Sequence, residues 1–222
     1  MSVRVTNTGS VAGDEVVQLY THQHTSRVKQ PVKQLRGFQR VHLAPGESKV
    51  VRLSLRTADL ALWDVTRGRF AVEPSTHDIL VGSSSDRIRQ RATVRVNGER
   101  IPSRDLTRLT RAADFDDHSG AELVDETKVR GDAVEASAGE WIAFEDVDLG
   151  KGVTGLRVGV AATASSSVDV RLGSPTGKLV ATVPVTATGG VHRWATATAP
   201  VTGAAAGMTS TWSSGAPRAW RI

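Results

Sequence analysis

Four pairs of adjacent carboxylate residues are the first candidates for chemistry: Asp14-Glu15, Asp116-Asp117, Asp125-Glu126 and Glu145-Asp146. Two carboxyl groups can act as a general acid and a nucleophile when they lie about 5–5.5 Å apart on either side of the bond to be cleaved. Neighbouring residues on a strand point to opposite faces of the sheet, so such pairs do not converge on one substrate. They are interpreted as solvated turn residues, and the sequence predicts no catalytic residue.

A second candidate is the pair His22 and His24, because residues two apart on a strand share one face and can ligate a metal. No third ligand lies nearby, and residues 21–29 have the composition of a loop. Exposed loop histidines are therefore expected, and no metal site is predicted. The chain has no cysteine, which excludes disulfides, thiolate catalysis and cysteine-ligated zinc.

Other catalytic signatures are missing from the sequence. No nucleophile elbow, Ser-His-Asp pattern or phosphate-binding loop occurs. The segment Gly82-Ser83-Ser84-Ser85 lacks the lysine and the helical pattern that follow a phosphate-binding loop, and it is interpreted as a turn.

The charge of the chain raises the question of nucleic acid, since the net charge is +5 and the pI is about 10.1. Residues 1–100 hold 16 Lys and Arg against 9 Asp and Glu, whereas the remainder holds 12 against 14. The basic residues are scattered along strand-like segments without the interleaved aromatics of an RNA-binding sheet. Neither nucleic acid nor membrane is predicted as a partner, since no apolar run approaches the ~18 residues of a membrane span.

Most of the chain alternates apolar and polar residues over short stretches that end at turn residues, which is typical of half-buried strands. Residues 3–9 and 50–55 are examples in the first part, and residues 155–161 and 168–172 in the second. Because no helical period occurs, the predicted fold is all-β, an immunoglobulin or fibronectin III-like sandwich followed by a jelly-roll sandwich. The predicted boundaries are 1–96 for the first domain, 97–111 for a linker, and 112–206 for the second domain.

The first domain resembles the fibronectin type III-like domain at the C-terminal end of family 3 glycoside hydrolases. Five segments in the same order carry the resemblance: Val-Thr-Asn-Thr-Gly (5–9), Ala-Gly-Asp-Glu-Val-Val-Gln-Leu-Tyr (12–20), Pro-Val-Lys-Gln-Leu-Arg-Gly-Phe (31–38), Leu-Ala-Pro-Gly-Glu (43–47) and Val-Gly-Ser-Ser-Ser (81–85). The resemblance implies an accessory domain that packs on the catalytic body of a β-glucosidase or β-xylosidase. The catalytic Asp and Glu of such enzymes lie in other domains, so this chain is not expected to be an enzyme.

The second domain resembles a family 6 carbohydrate-binding module. The matching segments are Gly-Glu-Trp-Ile-Ala-Phe (139–144), Val-Asp-Leu-Gly (147–150), Arg-Leu-Gly-Ser-Pro-Thr-Gly-Lys-Leu-Val (171–180), Thr-Gly-Gly (188–190) with Trp194, and Val-Thr-Gly (201–203). In the resembled modules a tryptophan after this Thr-Gly-Gly stacks on a sugar ring. Trp194 is therefore the candidate carbohydrate-binding residue, and packing in the core is its alternative. Trp141 and Phe144, on an apolar strand, are predicted to be core residues.

The second domain departs from the resembled family in three places. No aromatic residue lies between Val124 and Ala138 to form the second wall of a sugar clamp. The family's calcium site starts with Glu-Ala-Glu, whereas the corresponding stretch ends in Ala113-Asp114, and calcium needs six to eight oxygen ligands. No cofactor is predicted; calcium is only a possibility, with Asp114 as the remaining carboxylate. The family's closing strand, which often supplies an Asn contact, is not recognisable.

The closing strand leads to a hypothesis about the gene. The family pattern after Val-x-Gly reads Gly-x-His-Asp-Val-Tyr-Leu-Val-Phe, whereas this chain has Gly-Met-Thr-Ser-Thr-Trp-Ser-Ser at 207–214. Codons for this string, read one base earlier, are compatible with His-Asp-Val-Tyr-Leu-Val. We hypothesise a single-base frameshift between about Ala204 and Met208. Residues 207–222 would then be an out-of-frame tail containing Trp212 and Trp220, and the jelly roll would be incomplete and destabilised.

The resulting expectation is a non-catalytic carbohydrate-binding accessory region that binds a β-glucan- or xylan-type polysaccharide and packs on the catalytic domains of a parent enzyme. A purely structural fragment without a ligand is the alternative. Residues 1–4 have no apolar signal-peptide core, so a cytoplasmic location is expected if the chain is made as given.

Overall fold

The computed structural model describes residues 1–150 and 153–203, together with the backbone of two strands at Ser210–Ser214 and Arg218–Arg221. The chain divides into two compact units, Met1–Ile101 and Pro102–Ile222. The division falls inside the segment 97–111 that was predicted to be a linker. The all-β fold class is confirmed, since the described residues contain strands and two short 3-10 helices but no α-helix.

The first unit has eight strands and one 3-10 helix at Thr57–Leu60. The strands are β1 Ser2–Thr6, β2 Gly13–Gln23, β3 Gln34–Leu43, β4 Ser48–Arg52, β5 Leu62–Asp64, β6 Arg69–Ala71, β7 Ser75–Gly82 and β8 Ile88–Val96. A four-stranded sheet of order β3-β2-β7-β8 faces the two-stranded ribbon β1-β4, and β5 and β6 form a separate hairpin. The core between sheet and ribbon contains Leu19, Val51 and Val81, each about 1% exposed.

Strand β8 and the strands between Asp117 and Glu135 were not predicted from the sequence. β8 carries three arginines in nine residues, and only Ile88 and Val96 are not exposed. Its apolar residues Ala92, Val94 and Val96 alternate over five positions only, which is a short signal for a strand. Its pairing with β7 over the full length of β7 stabilises it instead. The hydrogen bonds between β8 and β7, which lie in the tertiary structure, therefore determine that this segment forms a strand.

The segment predicted to be a linker is hydrogen-bonded on both sides of the division. In the first unit, Ile101 is buried in a small cluster with Leu62 and Ala71. In the second unit, strand β9 (Arg104–Asp105) pairs in parallel with β14 (Val147–Asp148). Loss of periodicity in the sequence here reflects short, isolated pairings, which leave no two-residue repeat to detect.

In its described residues, the second unit has one 3-10 helix at Ala112–Asp114 and, besides β9 and β14, ten strands. They are β10 Asp117–Ser119, β11 Glu122–Thr127, β12 Arg130–Glu135, β13 Trp141–Phe144, β15 Gly155–Val160, β16 Ser166–Leu172, β17 Lys178–Val185, β18 Ala195–Pro200, β19 Ser210–Ser214 and β20 Arg218–Arg221. Two five-stranded sheets, β10-β13-β19-β16-β17 and β11-β12-β20-β15-β18, form a sandwich. Phe144, Val158, Val168 and Val183 fill its core with no exposed surface.

The expectation that the closing strands are absent is wrong for the backbone. β19 lies between β13 and β16, and β20 lies between β12 and β15. Without these strands, the backbone N–H and C=O groups of the two neighbouring strands would be unpaired at each position. A strand placed between them forms hydrogen bonds with both. Backbone hydrogen bonds to the neighbouring strands therefore hold a polar segment as a strand, although its sequence pattern does not predict one.

The frameshift hypothesis itself remains a prediction. Its proposed position between Ala204 and Met208 lies outside the described residues, as do the side chains of Trp212 and Trp220.

Among the residues that the structure describes, no helix has the length and apolar character required to cross a bilayer.

Candidate functional site

Trp194 lies at the end of the loop that joins β17 to β18, one residue before β18 begins. It is half-buried and packs with Val124 against Ala133 and Ala161, which have no exposed surface. The adjacent residues Val134 and Val160 belong to the sandwich core, so Ala133 and Ala161 point to the opposite side of the sheet. Trp194 therefore covers the outer surface of one end of the sheet.

Two hydrogen bonds converge beneath the indole. Trp194 Nε1 donates to the backbone carbonyl of Glu126 at 3.2 Å, and His192 Nδ1 lies 3.1 Å from the same oxygen. Both side chains are thereby held on the end of strand β11. The buried polar edge of the indole has a partner, and its apolar surface is left to make contacts.

Thr188 holds the loop that presents Trp194. Its hydroxyl accepts a hydrogen bond from Ala162 N at 2.9 Å and lies 3.1 Å from the Ala162 carbonyl and 3.2 Å from the Gly190 carbonyl. Its own N–H donates to the Ala162 carbonyl at 2.8 Å. Gly189 has a φ of +85°, a conformation that favours glycine. The Thr-Gly-Gly motif therefore fixes the loop by hydrogen bonds and one left-handed turn.

Glu126, whose backbone carbonyl binds the indole of Trp194, connects it to further polar groups. Glu126 is 3% exposed, and its Oε1 lies 3.9 Å from Nη1 of Arg130, whose side chain is largely exposed. His192 is exposed as well. A half-buried aromatic side chain beside fixed and exposed hydrogen-bonding groups is the chemical set that binds a sugar, since the ring takes the apolar face of the pyranose and the polar groups take its hydroxyls.

The sequence predicted Trp194 as a sugar contact, which stays a prediction, and it did not predict the residues that the structure places beside it. Glu126 and Arg130 belong to the hairpin β11–β12, and only the fold brings this hairpin to the loop that contains His192 and Trp194. Glu126 belonged to an acidic pair that was interpreted as a solvated turn, yet it is buried in strand β11. The Thr-Gly-Gly motif was the sequence signal for the loop that contains Trp194. It gave no information on the residues that Trp194 contacts.

The two other aromatic residues of interest differ from each other. Phe144 is fully buried, as predicted for a core residue, and the guanidinium carbon of Arg104 lies 4.9 Å from its ring centroid. Trp141, on the same strand β13, is only half-buried. No contact in the described part of the chain places either residue beside Trp194.

Two members of the other acidic pairs, Asp14 and Asp116, have ionic partners. Asp14 is bound by Arg40 and His42, and the Arg40 hydrogen bond, followed by that of His42, holds the pKa of Asp14 below its usual value. Asp116 accepts two hydrogen bonds from Nη2 of Arg104 at 3.0 Å. Asp125 faces Asp132 across β11 and β12 in the register. Asp14 and Asp116 are thus engaged in ion pairs.

Neither proposed metal position gathers a ligand set. His22 lies in strand β2, which runs to Gln23, so the prediction of a loop from residue 21 is wrong in its first three residues. His22 Nδ1 lies 2.8 Å from the Val32 carbonyl, and His24 Nε2 lies 3.2 Å from Asp78. Burial raises the pKa of Asp114 above its usual value. Within the described ranges, no three His, Asp or Glu side chains could hold a metal ion.

Comparison with known proteins identifies both units. Residues 15–85 match the family model of the fibronectin type III-like domain, and residues 111–211 match that of carbohydrate binding module family 6. A probable β-glucosidase L of Emericella nidulans is 46% identical over 89 residues, and a β-glucosidase of Rhizobium radiobacter is 39% identical over 94 residues. These matches cover 40% and 42% of this chain, but the chain spans only 12% of the length of either relative.

A solved structure supports the fold of the second unit. CsCBM6-3 of Clostridium stercorarium, in complex with cellobiose, aligns with a TM-score of 0.51 and 23% identity over 54% of this chain and 95% of its own. This likeness concerns the fold alone. The resemblances stated from the sequence, to a fibronectin type III-like domain and to a family 6 module, are confirmed.

Proposed function

We propose that this chain is the non-catalytic, carbohydrate-binding accessory region of a family 3 glycoside hydrolase of the β-glucosidase type. Its matches to a fibronectin type III-like domain and to a family 6 carbohydrate-binding module support this proposal. The observation that carries the proposal is Trp194, half-buried on a hydrogen-bonded loop. Its ligand class is a β-glucan or xylan, whose pyranose rings have apolar faces suited to an indole.

The first domain has a different role in this proposal. Leu35 and Phe38 on strand β3 are 51% and 68% exposed. Exposed apolar side chains of this size are typical of a protein contact surface, and catalytic domains are the partner that we propose for it. The carbohydrate-binding module would then hold substrate near those domains and raise its local concentration by tethering.

The alternative is a purely structural fragment, which one observation favours. Trp194 covers Ala133 and Ala161, and its N–H is already bonded to a backbone carbonyl. A tryptophan that serves only as packing would have the same contacts. Binding and stability must therefore be measured on the same variant.

The experiment is a titration of the full chain with xylo- and gluco-oligosaccharides, followed by isothermal calorimetry and by amide and indole NMR signals. We expect binding with a shift of one indole N–H signal, and Trp194→Ala is expected to weaken it at least about tenfold, a loss of about 1.4 kcal/mol. Trp63→Ala is the matched control, because Trp63 is 51% exposed and lies in the first unit. Failure of the wild-type chain to bind any of these sugars would favour the structural alternative, provided that the second unit gives dispersed signals.

Catalysis is tested separately with nitrophenyl glycosides. We expect no turnover, because neither matched family, a fibronectin type III-like domain or a carbohydrate-binding module, is expected to supply the two carboxyl groups of retaining chemistry. Activity that survives purification would contradict the non-catalytic part of the proposal without affecting the sugar-binding part.

A further inference from the structure

Arg193, the residue before Trp194, lies against its own loop. Its backbone N–H donates to the Gly190 carbonyl at 3.1 Å. A Cβ atom placed on Gly190 would lie 3.6 Å from Cγ and Cδ of Arg193, and one placed on Gly189 would lie 3.2 Å from its Nη1. The side chain therefore runs along the two glycines of the Thr-Gly-Gly motif. Arg193 is exposed, and within the described residues its guanidinium has no hydrogen-bond or ion-pair partner.

Two further cations lie near the hairpin β11–β12, which contacts Trp194 through the Glu126 carbonyl. Nη1 of Arg130 lies 3.9 Å from Oε1 of Glu126. A Cβ atom placed on Gly131 would lie 2.9 Å from Nη2 of Arg111 and 3.9 Å from Oε2 of Glu126, so a second guanidinium lies near the same carboxylate. The side chains of Arg130 and Arg111 are 68% and 50% exposed, whereas that of Glu126 is 3% exposed. Two exposed positive charges therefore face one buried negative charge.

The remaining carboxylates of the hairpin compensate only part of this positive charge. Asp125 and Asp132 face each other in the register, and strand alternation directs both away from the face of the buried carboxylate. Asp132 Oδ2 lies 3.9 Å from Nη2 of Arg111. Glu122 and Glu135 pair four residues away from the buried carboxylate, which is about 13 Å along the strands. The guanidinium on the Thr-Gly-Gly loop therefore keeps an uncompensated positive charge.

Such a charge beside an indole favours one kind of sugar. A guanidinium binds a carboxylate through two parallel, charge-assisted hydrogen bonds, which are stronger than its hydrogen bonds to a hydroxyl. Among sugars, uronic acids carry a carboxylate, and their rings keep an apolar face on which an aromatic side chain can stack. The combination of Trp194 with the unpaired guanidinium of Arg193 therefore fits a uronic acid better than a neutral pyranose.

We propose that the surface around Trp194 selects a glycan that carries a uronic acid, such as a xylan with glucuronic acid side groups. Arg193 binds the sugar carboxylate, Arg130 adds positive charge on the neighbouring hairpin, and the indole of Trp194 stacks on a pyranose ring. This inference rests on the proposed carbohydrate-binding function. It narrows the ligand from β-glucans and xylans in general to acidic xylans.

The test measures binding of the full chain to three xylo-oligosaccharides of one length by isothermal calorimetry. The first carries a glucuronic acid branch, the second carries the same branch with its carboxyl group reduced to an alcohol, and the third is unbranched. We expect the acidic ligand to bind at least about tenfold more tightly than the reduced one at about 0.02 M salt, and the ratio to fall towards one at about 0.5 M, because salt screens exposed charges. Equal binding of these two ligands at low salt would overturn this inference and leave the proposed function standing. Absence of binding by all three would overturn it as well, and the gluco-oligosaccharide titration then decides whether the proposed function stands.

Single substitutions locate the carboxylate site, and circular dichroism checks that each variant is folded. Arg193→Gln removes the charge and keeps a polar side chain, so it is expected to remove most of the preference for the acidic ligand while the reduced ligand binds as before. Arg130→Gln is expected to remove a smaller part. Arg108→Gln is the matched control, because Arg108 is 84% exposed and lies at the opposite end of the strand pair β15–β18. An unchanged preference in folded Arg193→Gln, an equal loss in Arg108→Gln, or unchanged affinity of Trp194→Ala for the acidic ligand would each overturn the inference.

Discussion

The indole Nε1 of Trp194 donates a hydrogen bond to the backbone carbonyl of Glu126 at 3.2 Å, although 68 positions separate the two residues. This contact joins the loop before β18 to the end of β11. These two strands are the opposite edge strands of one five-stranded sheet. The proposed sugar-binding surface therefore depends on the closed sandwich. Conditions that open the second unit should abolish carbohydrate binding together with its tertiary structure.

The first prediction concerns the loop that presents Trp194. Thr188→Val removes the hydroxyl and leaves Ala162 N without its partner, which costs about 1–3 kcal/mol for a buried donor. We expect a lower unfolding midpoint of the second unit and weaker oligosaccharide binding, measured by denaturant unfolding and calorimetry. Thr186→Val is the control, since Thr186 is exposed in the same loop; an equal effect of the two substitutions would contradict the role of Thr188.

The second prediction concerns the buried pair of Arg104 and Asp116, whose side chains are 3% and 4% exposed. Asp116→Ala removes the carboxylate that receives Arg104 and the N–H of Glu145, so we expect a loss of about 3–5 kcal/mol of unfolding free energy. Asp14→Ala, which breaks an exposed pair with Arg40, should change stability little. Urea unfolding of both variants measures the difference, and similar losses would refute the assignment.

The third prediction follows from the position of Arg104 within the segment 97–111. A chain that starts at residue 102 keeps β9 and Arg104, whereas one that starts at residue 112 loses both. We expect the longer form of the second unit to be the more stable of the two by thermal unfolding. If both forms unfold at the same temperature, the pairing of β9 with β14 contributes nothing to the unit.

The fourth prediction concerns pH and His77, which is 2% exposed. Neither of its ring nitrogens has a hydrogen-bond partner among the described residues. Burial lowers the pKa of His77 below 6.5, Arg36 and His24 lower it further, and Glu73 opposes them. The unfolded chain therefore binds a proton more readily than the folded one, so stability falls as pH drops through about 6.5.

The measurement for His77 is the unfolding free energy of the first unit between pH 8 and pH 5. His77→Leu removes the titrating group, so its curve should be flatter than that of wild type in this window. The control His22→Gln replaces a less buried histidine of β2, whose Nδ1 lies 2.8 Å from the Val32 carbonyl, and it should keep most of the wild-type slope. A wild-type slope in His77→Leu would show that other groups set the pH dependence.

The fifth prediction concerns the gene. Sequencing of the DNA around codons 204–208 is expected to show bases that encode His-Asp-Val-Tyr-Leu-Val in the shifted frame. Restoring that frame should raise the thermal stability of the second unit, because alternating apolar residues would replace the polar β19 (Ser210–Ser214) between β13 and β16. Absence of a family-like strand in either shifted frame would end the hypothesis.

The sequence by itself determined the all-β class, the order of the two domains and most of the strands. The two-residue alternation of segments such as 155–161 and 168–172 follows from strand geometry, since alternate residues contact the core or the solvent. The Thr-Gly-Gly motif likewise located the loop of Trp194, because a left-handed glycine and a threonine hydroxyl act over a few residues. Such local constraints can be read along the chain.

Only the tertiary structure decided the features that depend on distant partners. The backbone carbonyl of Glu126 accepts a hydrogen bond from Trp194. Arg104, in the segment predicted to be a linker, pairs with Asp116. The polar segment Ser210–Ser214 forms a central strand. Strand β8, whose apolar alternation is limited to residues 92–96, extends to Ile88 through its ladder with β7. In each case the physical reason is the same: an unpaired backbone or charged group is costly once buried, and its partner comes from a part of the chain that no local pattern identifies.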